Sequence, residues 1–181
     1  MTKVITNCLK QVLPSIISKD QSAFTPEYFI TDNILVAFEI FHSMNGHVGA
    51  NGFMALKLDS LKAYDKVEWI FLRNMMLQLG FRPCWVNLIM SFVEITTYSF
   101  VVNGEPYGFV TPARGTRQGD PISLYLFLFC AEVLSALLDA VGDGSIHGYR
   151  ICQLAHVISH LLFADDTIIF CKANMDEART I

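Results

Sequence analysis

His160-Leu161-Leu162-Phe163-Ala164-Asp165-Asp166-Thr167-Ile168-Ile169-Phe170 sets two adjacent acids inside an apolar run. The pattern predicts a strand, a tight turn and a second strand, with the acids at the tip. Desolvating one unpaired carboxylate costs on the order of several kcal/mol even after relaxation, and two side by side also repel. Two arrangements relieve that cost. The tip can face water, since Asp is a common turn residue. Alternatively a divalent cation neutralises the pair, because hard cations take carboxylate oxygens. A metal site of this kind needs a further acid from elsewhere in the chain.

Composition bounds the search. With 181 residues, 52% hydrophobic and 17% charged, the chain is long enough for one cored domain and too apolar for disorder. Its net charge is −4 and it has no Lys/Arg run, so any groove for nucleic acid is weakly basic or lies in a part not present here. Cys8, Cys84, Cys130, Cys152 and Cys171 are scattered without Cys-x-x-Cys spacing, which argues against a zinc site or a disulfide framework. With no basic-then-apolar leader, an intracellular protein is expected, nuclear or cytoplasmic and not secreted. The longest apolar run, residues 122 to 141, contains Glu132 and Asp139. An acid near a bilayer centre costs about 2.5–3.5 kcal/mol, so a buried helix is expected there and no membrane partner.

The chain has no repeat. Residues 2 to 17 carry apolar side chains at helical spacing, and Pro14 should end or kink that helix. Residues 18 to 30 read as a loop. Thr31 or Asp32 can cap a second helix that turns Ile34, Leu35, Phe38 and Phe41 inward. Gly46, Gly49 and Gly52 mark a connection. Residues 53 to 58 read as a strand, 67 to 79 as a helix stopped by Gly80, and 83 to 92 as a helix opened by Pro83. Residues 97 to 102 and 107 to 111 flank Asn103-Gly104, a hairpin signal. A polar loop from 114 to 120 leads into a long helix at Pro121, capped by Asp120. A short strand at 148 to 152 precedes the acidic hairpin, and residues 175 to 181 begin a helix. This order predicts an α+β domain, a mainly antiparallel sheet backed by helices.

Three further features carry chemistry. Lys57-Leu58-Asp59 ends the first strand. Asp59 either caps the following turn or, if its strand lies beside the acidic hairpin, faces Asp165. Three carboxylates could then hold two divalent ions about 3.5–4 Å apart, the arrangement that clamps attacking and leaving oxygens in phosphoryl transfer. Tyr64, in Ala63-Tyr64-Asp65, is either a core tyrosine or a flat wall under a sugar that excludes a 2′-hydroxyl by shape. Arg114-Gly115-Thr116-Arg117-Gln118-Gly119-Asp120-Pro121 is a helix start whatever else it does, but a cap leaves Arg114, Arg117 and Gln118 unexplained. Two guanidiniums and an amide on such a loop suit phosphate or base-pair contacts.

In order, the chain reads Lys-Leu-Asp-x-x-Lys-Ala-Tyr-Asp, Val-Asn-Gly, Arg-Gly-x-Arg-Gln-Gly-Asp-Pro and Phe-Ala-Asp-Asp. This series resembles the reverse transcriptases of non-LTR (LINE-type) retrotransposons, most closely those abundant in plant genomes. The resemblance starts at Asn7 and Leu9. It continues through Gln21-Ser22-Ala23-Phe24 and Ile30-Thr31-Asp32-Asn33 to Cys171.

The resemblance implies a right-hand polymerase, represented here by one partial domain. Residues 1 to about 52 would be finger-like helices and about 53 to 181 the palm, with the thumb missing. It implies that Asp59, Asp165 and Asp166 are the catalytic, metal-binding triad. Asp59 and Asp165 would hold two Mg²⁺ ions (Mn²⁺ as a substitute) and Asp166 would bind more weakly. Tyr64 would select deoxyribose, and Arg117, Gln118 and Gly119 would lie beside the template–nucleotide pair. RNA template, DNA primer and dNTP are the implied partners, together with finger and thumb regions of a parent polyprotein. The sequence also departs from the family pattern. Ser60-Leu61 stands where Met-Ser is usual, Glu27-Tyr28 where Gly-Arg is common, Cys8 for Arg, Thr116 for Leu and Leu124 for Pro. With the thumb and some finger residues absent, the chain alone is not expected to extend a primer measurably. The alternative expectation is an inactive retrotransposon remnant, or a fragment that only binds.

Overall fold

The computed structural model describes residues 2–24, 29–46, 52–141 and 146–181; Glu27-Tyr28 and Gly49 lie outside them. The backbone gathers into two compact units. One comprises Met1–Leu9 with Lys62–Cys130, the other Lys10–Leu61 with Ala131–Ile181.

The first unit is mainly helical. Helix α1 (Thr2–Ile16) begins in it and keeps Pro14 inside its last turn, so the proline neither stops nor replaces the final residues of the helix. A 3-10 turn at Ala63–Lys66 precedes α3 (Trp69–Gln78), and Pro83 opens α4 (Pro83–Glu94). Leu72 and Met76 of α3 are buried, as are Val86, Ile89, Met90 and Val93 of α4. The spacing is that of one apolar stripe per helix. Gly80, at φ +87, closes α3 as expected. Strands β2 (Tyr98–Val102) and β3 (Glu105–Val110) form a hairpin around Asn103 and Gly104, both at positive φ. Helix α5 (Pro121–Val141) starts where predicted, the Ile122 N–H donating to the Asp120 carboxylate at 3.3 Å.

The second unit contains a three-stranded antiparallel sheet in the order β1-β5-β4, from β1 (Phe53–Asp59), β4 (His160–Phe163) and β5 (Asp166–Lys172). Alternation along β5 sends its side chains to two cores. Phe170 and Ile168 join Ile40, Tyr149 and Leu161, while Ile169 and Cys171 join Leu138 and Ile146. Helix α2 (Ile30–Asn45) covers the first of these faces, its Phe41 ring edge-on to Phe170 at 5.9 Å. Helix α6 (Met175–Thr180) follows, capped by Asn174.

Three expectations need correction. Neither Thr31 nor Asp32 is the N-cap of α2, which is Phe29. Asp32 stands at the third position of the first turn, where its carboxylate accepts the Phe29 N–H at 3.2 Å. Of Ile34, Leu35, Phe38 and Phe41, α2 turns Phe41 against Phe170 but leaves the other three outward, with Phe38 69% and Leu35 61% exposed. The helix carries apolar side chains on more than one side, Ile34, Leu35 and Phe38 as well as Val36, Ala37 and Ile40, so spacing admits two faces. Asn33 selects between them by donating its amide to the Asp20 and Leu162 carbonyls, both at 3.1 Å. That rotation presents Val36, Ala37, Ile40 and Met44 to the core. Finally, the strand at 148 to 152 reduces to one bridge, Tyr149 to Ile158, because the chain doubles back through a turn from Cys152 to Ala155.

Candidate active site

In the second unit, β1 and β5 pair from Phe53↔Lys172 to Asp59↔Asp166, so both strands reach the same end of the sheet with an acid. Strand β4 leads through Ala164 and Asp165 into β5 and pairs its Phe163 with the same Asp166. The Ser60 N–H donates to the Asp165 carbonyl at 3.3 Å. Asp59, Asp165 and Asp166 are thereby brought together at one sheet end, Asp59 exposed and the other two half-buried. The residue directly across from Asp59 is Asp166, one position on from the Asp165 that sequence alone suggested. The turn is backbone-strained: Ala164 has φ +52, a left-handed conformation that costs an L-residue roughly 1–2 kcal/mol.

Lys57 stands two residues before Asp59, on the same face of β1. Its Nζ lies 3.0 Å from Asp166 Oδ1. The bonded Asp166 carboxylate raises the Lys57 ammonium above its ordinary value, and the charges of Asp59 and Asp165 add to this. The ion pair engages Asp166 and leaves the carboxylates of Asp59 and Asp165 to other partners. Carboxylate oxygens are hard donors, and three of these groups at one sheet end form a donor set that fits a hard divalent cation. Sequence reasoning had given Lys57 no role. The period of two along β1 was the signal available.

A different group brings possible ligand atoms closer. Among the described residues, Asp20, Asp139 and His160 place one ligand atom each within 4.8 Å of one another. His160 is buried, and both ring nitrogens already meet hydroxyls, Nε2 at Ser135 and Nδ1 at Ser159, each at 2.8 Å. Burial pushes the Asp20 carboxyl above its usual range, His160 opposes this, and Asp139 adds to it. Ser135 passes the network to Ser18, whose N–H donates to Glu132. A histidine satisfied on both sides is a structural hub of the unit. The cysteines are free thiols, and burial pushes Cys130 up to about 12, so thiolate ligation there is disfavoured.

In the first unit, Tyr64, Arg117, Gln118 and Gly119 line one cavity of about 560 Å³, closed by Asp120, Pro121, Ser123 and Leu124. Tyr64 is half-buried, its ring tilted 34° on Phe127 with centroids 4.8 Å apart. The polar loop is tied to the tyrosine's own turn. Gly115 N–H donates to Val67 O at 2.7 Å, Thr116 N–H to Tyr64 O at 2.9 Å, and the Trp69 indole to Gly115 O at 2.8 Å. Gly115 needs its φ of +88, and a Cβ there would stand 3.0 Å from the Asp65 carbonyl oxygen. Arg114 pairs with Glu68 at 3.4 Å, outside the lining of this cavity.

A family model described as reverse transcriptase (RNA-dependent DNA polymerase) matches residues 1–181. An uncharacterized 149 kDa protein of transposon TX1 from Xenopus laevis is 28% identical over 179 residues, 99% of this chain and 13% of that protein. An uncharacterized mitochondrial protein of Arabidopsis thaliana is 55% identical over 69 residues, 38% of this chain and 57% of that protein. The chain thus spans only part of both relatives. Among solved structures, an apo telomerase from Candida tropicalis truncated from its C-terminal domain superposes with a TM-score of 0.63 at 15% identity, over 98% of this chain and 35% of the other. A telomerase from Candida albicans in complex with a TWJ fragment of telomeric RNA gives 0.64 at 10% identity, over 99% of this chain and 31% of the other. At these identities the likeness speaks for the fold, a polymerase palm. The transposon and plant relatives agree with the retrotransposon resemblance of the motifs, and the match over residues 1–181 places this chain in the reverse transcriptase (RNA-dependent DNA polymerase) family.

Proposed function

We propose that this chain carries the chemistry of RNA-directed DNA synthesis, with residues 1–52 contributing finger-like helices and 53–181 the palm. The observation that carries the reading is the β1–β5 register, which ends on Asp59 opposite Asp166 with Asp165 beside them. Asp59 and Asp165 bind two Mg²⁺, or Mn²⁺, and Asp166 binds more weakly because Lys57 already engages it. When bound, the ions lower the pKa of a primer 3′-hydroxyl and neutralise the leaving pyrophosphate. The other residues position the substrate. Tyr64 presents a flat ring to the sugar and rejects a 2′-hydroxyl, the Arg117 guanidinium takes phosphate oxygens, and the Gln118 amide meets the base pair. RNA template, DNA primer and dNTP are the partners of this reading. The match of residues 1–181 to the reverse transcriptase (RNA-dependent DNA polymerase) family supports an RNA template.

The test is Mg²⁺-dependent dNTP incorporation on an RNA template by the protein that carries this chain. Loss of several kcal/mol of charge stabilisation corresponds to about a thousandfold in rate. Asp59→Asn and Asp165→Asn should each lose on that order, and Asp166→Asn less. Incorporation by Asp165→Asn at the wild-type rate would overturn the proposal.

A further inference from the structure

Gln21 is 2% exposed and lies far in sequence from the acidic hairpin, yet it is built into it. Residues 20 to 22 run beside β4, joined to it by one parallel bridge. Gln21 bridges to Leu162, the Leu162 N–H donates to Asp20 O at 2.8 Å, and the Ser22 N–H donates to Leu162 O at 3.3 Å. Asn33 clips both segments from α2. From this position the Gln21 side chain reaches the turn itself. Its Oε1 accepts the Ala164 N–H at 3.2 Å and the Ala23 N–H at 2.9 Å.

Ala164 is the residue at φ +52, immediately before Asp165. A left-handed alanine persists only where its surroundings hold it, and the bond from Gln21 is a hold directed at that amide. The other end of the side chain shows what was given up: Nε2 is buried with no hydrogen-bond partner among the described residues. Two backbone N–H groups fix Oε1 as the acceptor, so the amide cannot be turned to satisfy its own donor. A glutamate would accept both N–H groups and leave no orphan donor, but it would add a fourth negative charge beside Asp59, Asp165 and Asp166. Glutamine is the side chain of that length and shape that accepts without charge.

We propose that Gln21 is a positioning residue for Asp165, acting through the Ala164 backbone. The inference rests on the metal-binding reading above and deepens it. The test uses Mn²⁺ alone as the probe, with free Mn²⁺ counted by electron paramagnetic resonance, so no turnover is required. Gln21→Met keeps the shape and removes the acceptor; it should weaken Mn²⁺ binding about tenfold. Gln21→Glu keeps the acceptor and adds a negative charge, so it should bind Mn²⁺ at least as tightly as wild type. A merely structural role would lower the thermal midpoint of both variants and leave Mn²⁺ affinity unchanged in the folded fraction, which would overturn the inference. Asp165→Asn separates the two levels. If it binds Mn²⁺ like wild type, the metal reading itself fails and this inference with it. If it loses binding while Gln21→Met does not, only the role of Gln21 fails. Should Gln21→Met not fold, amide hydrogen exchange at Ala164 in the wild-type chain decides: slow exchange is expected, and exchange at the rate of an unbonded turn amide would overturn the proposal.

Discussion

Lys57 and Glu177 show how much a single ionised side chain does here. The Lys57–Asp166 pair is open to water, where solvent screens the attraction and little net stability remains. Lys57→Met should therefore leave the thermal midpoint nearly unchanged. It also removes the positive charge nearest the carboxylates, so Mn²⁺ binding should tighten several-fold by titration. Unchanged affinity would mean that the pair does not compete with the cation. Glu177 is the opposite case, with 3% exposure. Burial alone would raise its carboxyl, but the His147 and Lys172 backbone N–H groups and the Asn174 and His147 side chains outweigh that and hold it below the ordinary carboxylate range. The unfolded chain then binds the proton more readily. The stabilisation is full above the ordinary glutamate value and is lost as pH falls through the lower folded value. Glu177→Ala should cost about 1–3 kcal/mol, since several part-buried donors lose a charged acceptor. Chemical denaturation at neutral pH and in acid reads both effects, and the penalty should shrink on acidification.

Among the elements, the loop from 114 to 120 depends on a residue without a side chain. Gly115 has φ +88 and no room for a Cβ beside Asp65. Gly115→Ala should strain the loop by about 1–2 kcal/mol and displace it from the Tyr64 turn, whose carbonyl accepts the Thr116 N–H. Expected outcomes are a lower thermal midpoint and a raised KM for dNTP; an unchanged KM would detach the loop from nucleotide binding. The elements themselves were largely legible. Proline at the start of α4 and α5, glycine after α3 and Asn-Gly in the β2–β3 turn act through backbone torsions that neighbours barely alter. Strand β1 and the acidic hairpin were legible for the same reason. The strand at 148 to 152 was not, because pairing is a long-range event and only Tyr149 finds a partner there.

For the whole molecule, the surface is unusually apolar in two places. The β2–β3 hairpin exposes Phe100, Val101, Tyr107 and Phe109, the last at 88%, and α2 exposes Ile34, Leu35 and Phe38. Contiguous apolar patches drive association when nothing covers them, and a net charge of −4 over 181 residues opposes it weakly. The isolated chain should scatter light as more than a monomer at micromolar concentration. Phe109→Glu with Val101→Lys should reduce that scattering, since one charge of each sign leaves the net charge unchanged and only the apolar area falls. A monodisperse wild-type monomer would refute this.

By itself the sequence determined the kinds of element, their order and the residue types that bear the chemistry. Helix caps, turns and strand alternation are local, and the motif series is distinctive enough to point to the reverse transcriptase family. Tertiary structure alone decided which side chains meet. It put Asp166 across from Asp59, because register is set by the full length of the β1–β5 pairing. It rotated α2 through Asn33, because a helix with apolar side chains on two sides has no preferred face until a half-buried polar side chain finds its acceptors. It also brought Gln21 to the Ala164 amide across the whole unit. Spacing in sequence carries no information about a hydrogen bond between residues so far apart, so these partners emerged only once the chain was folded.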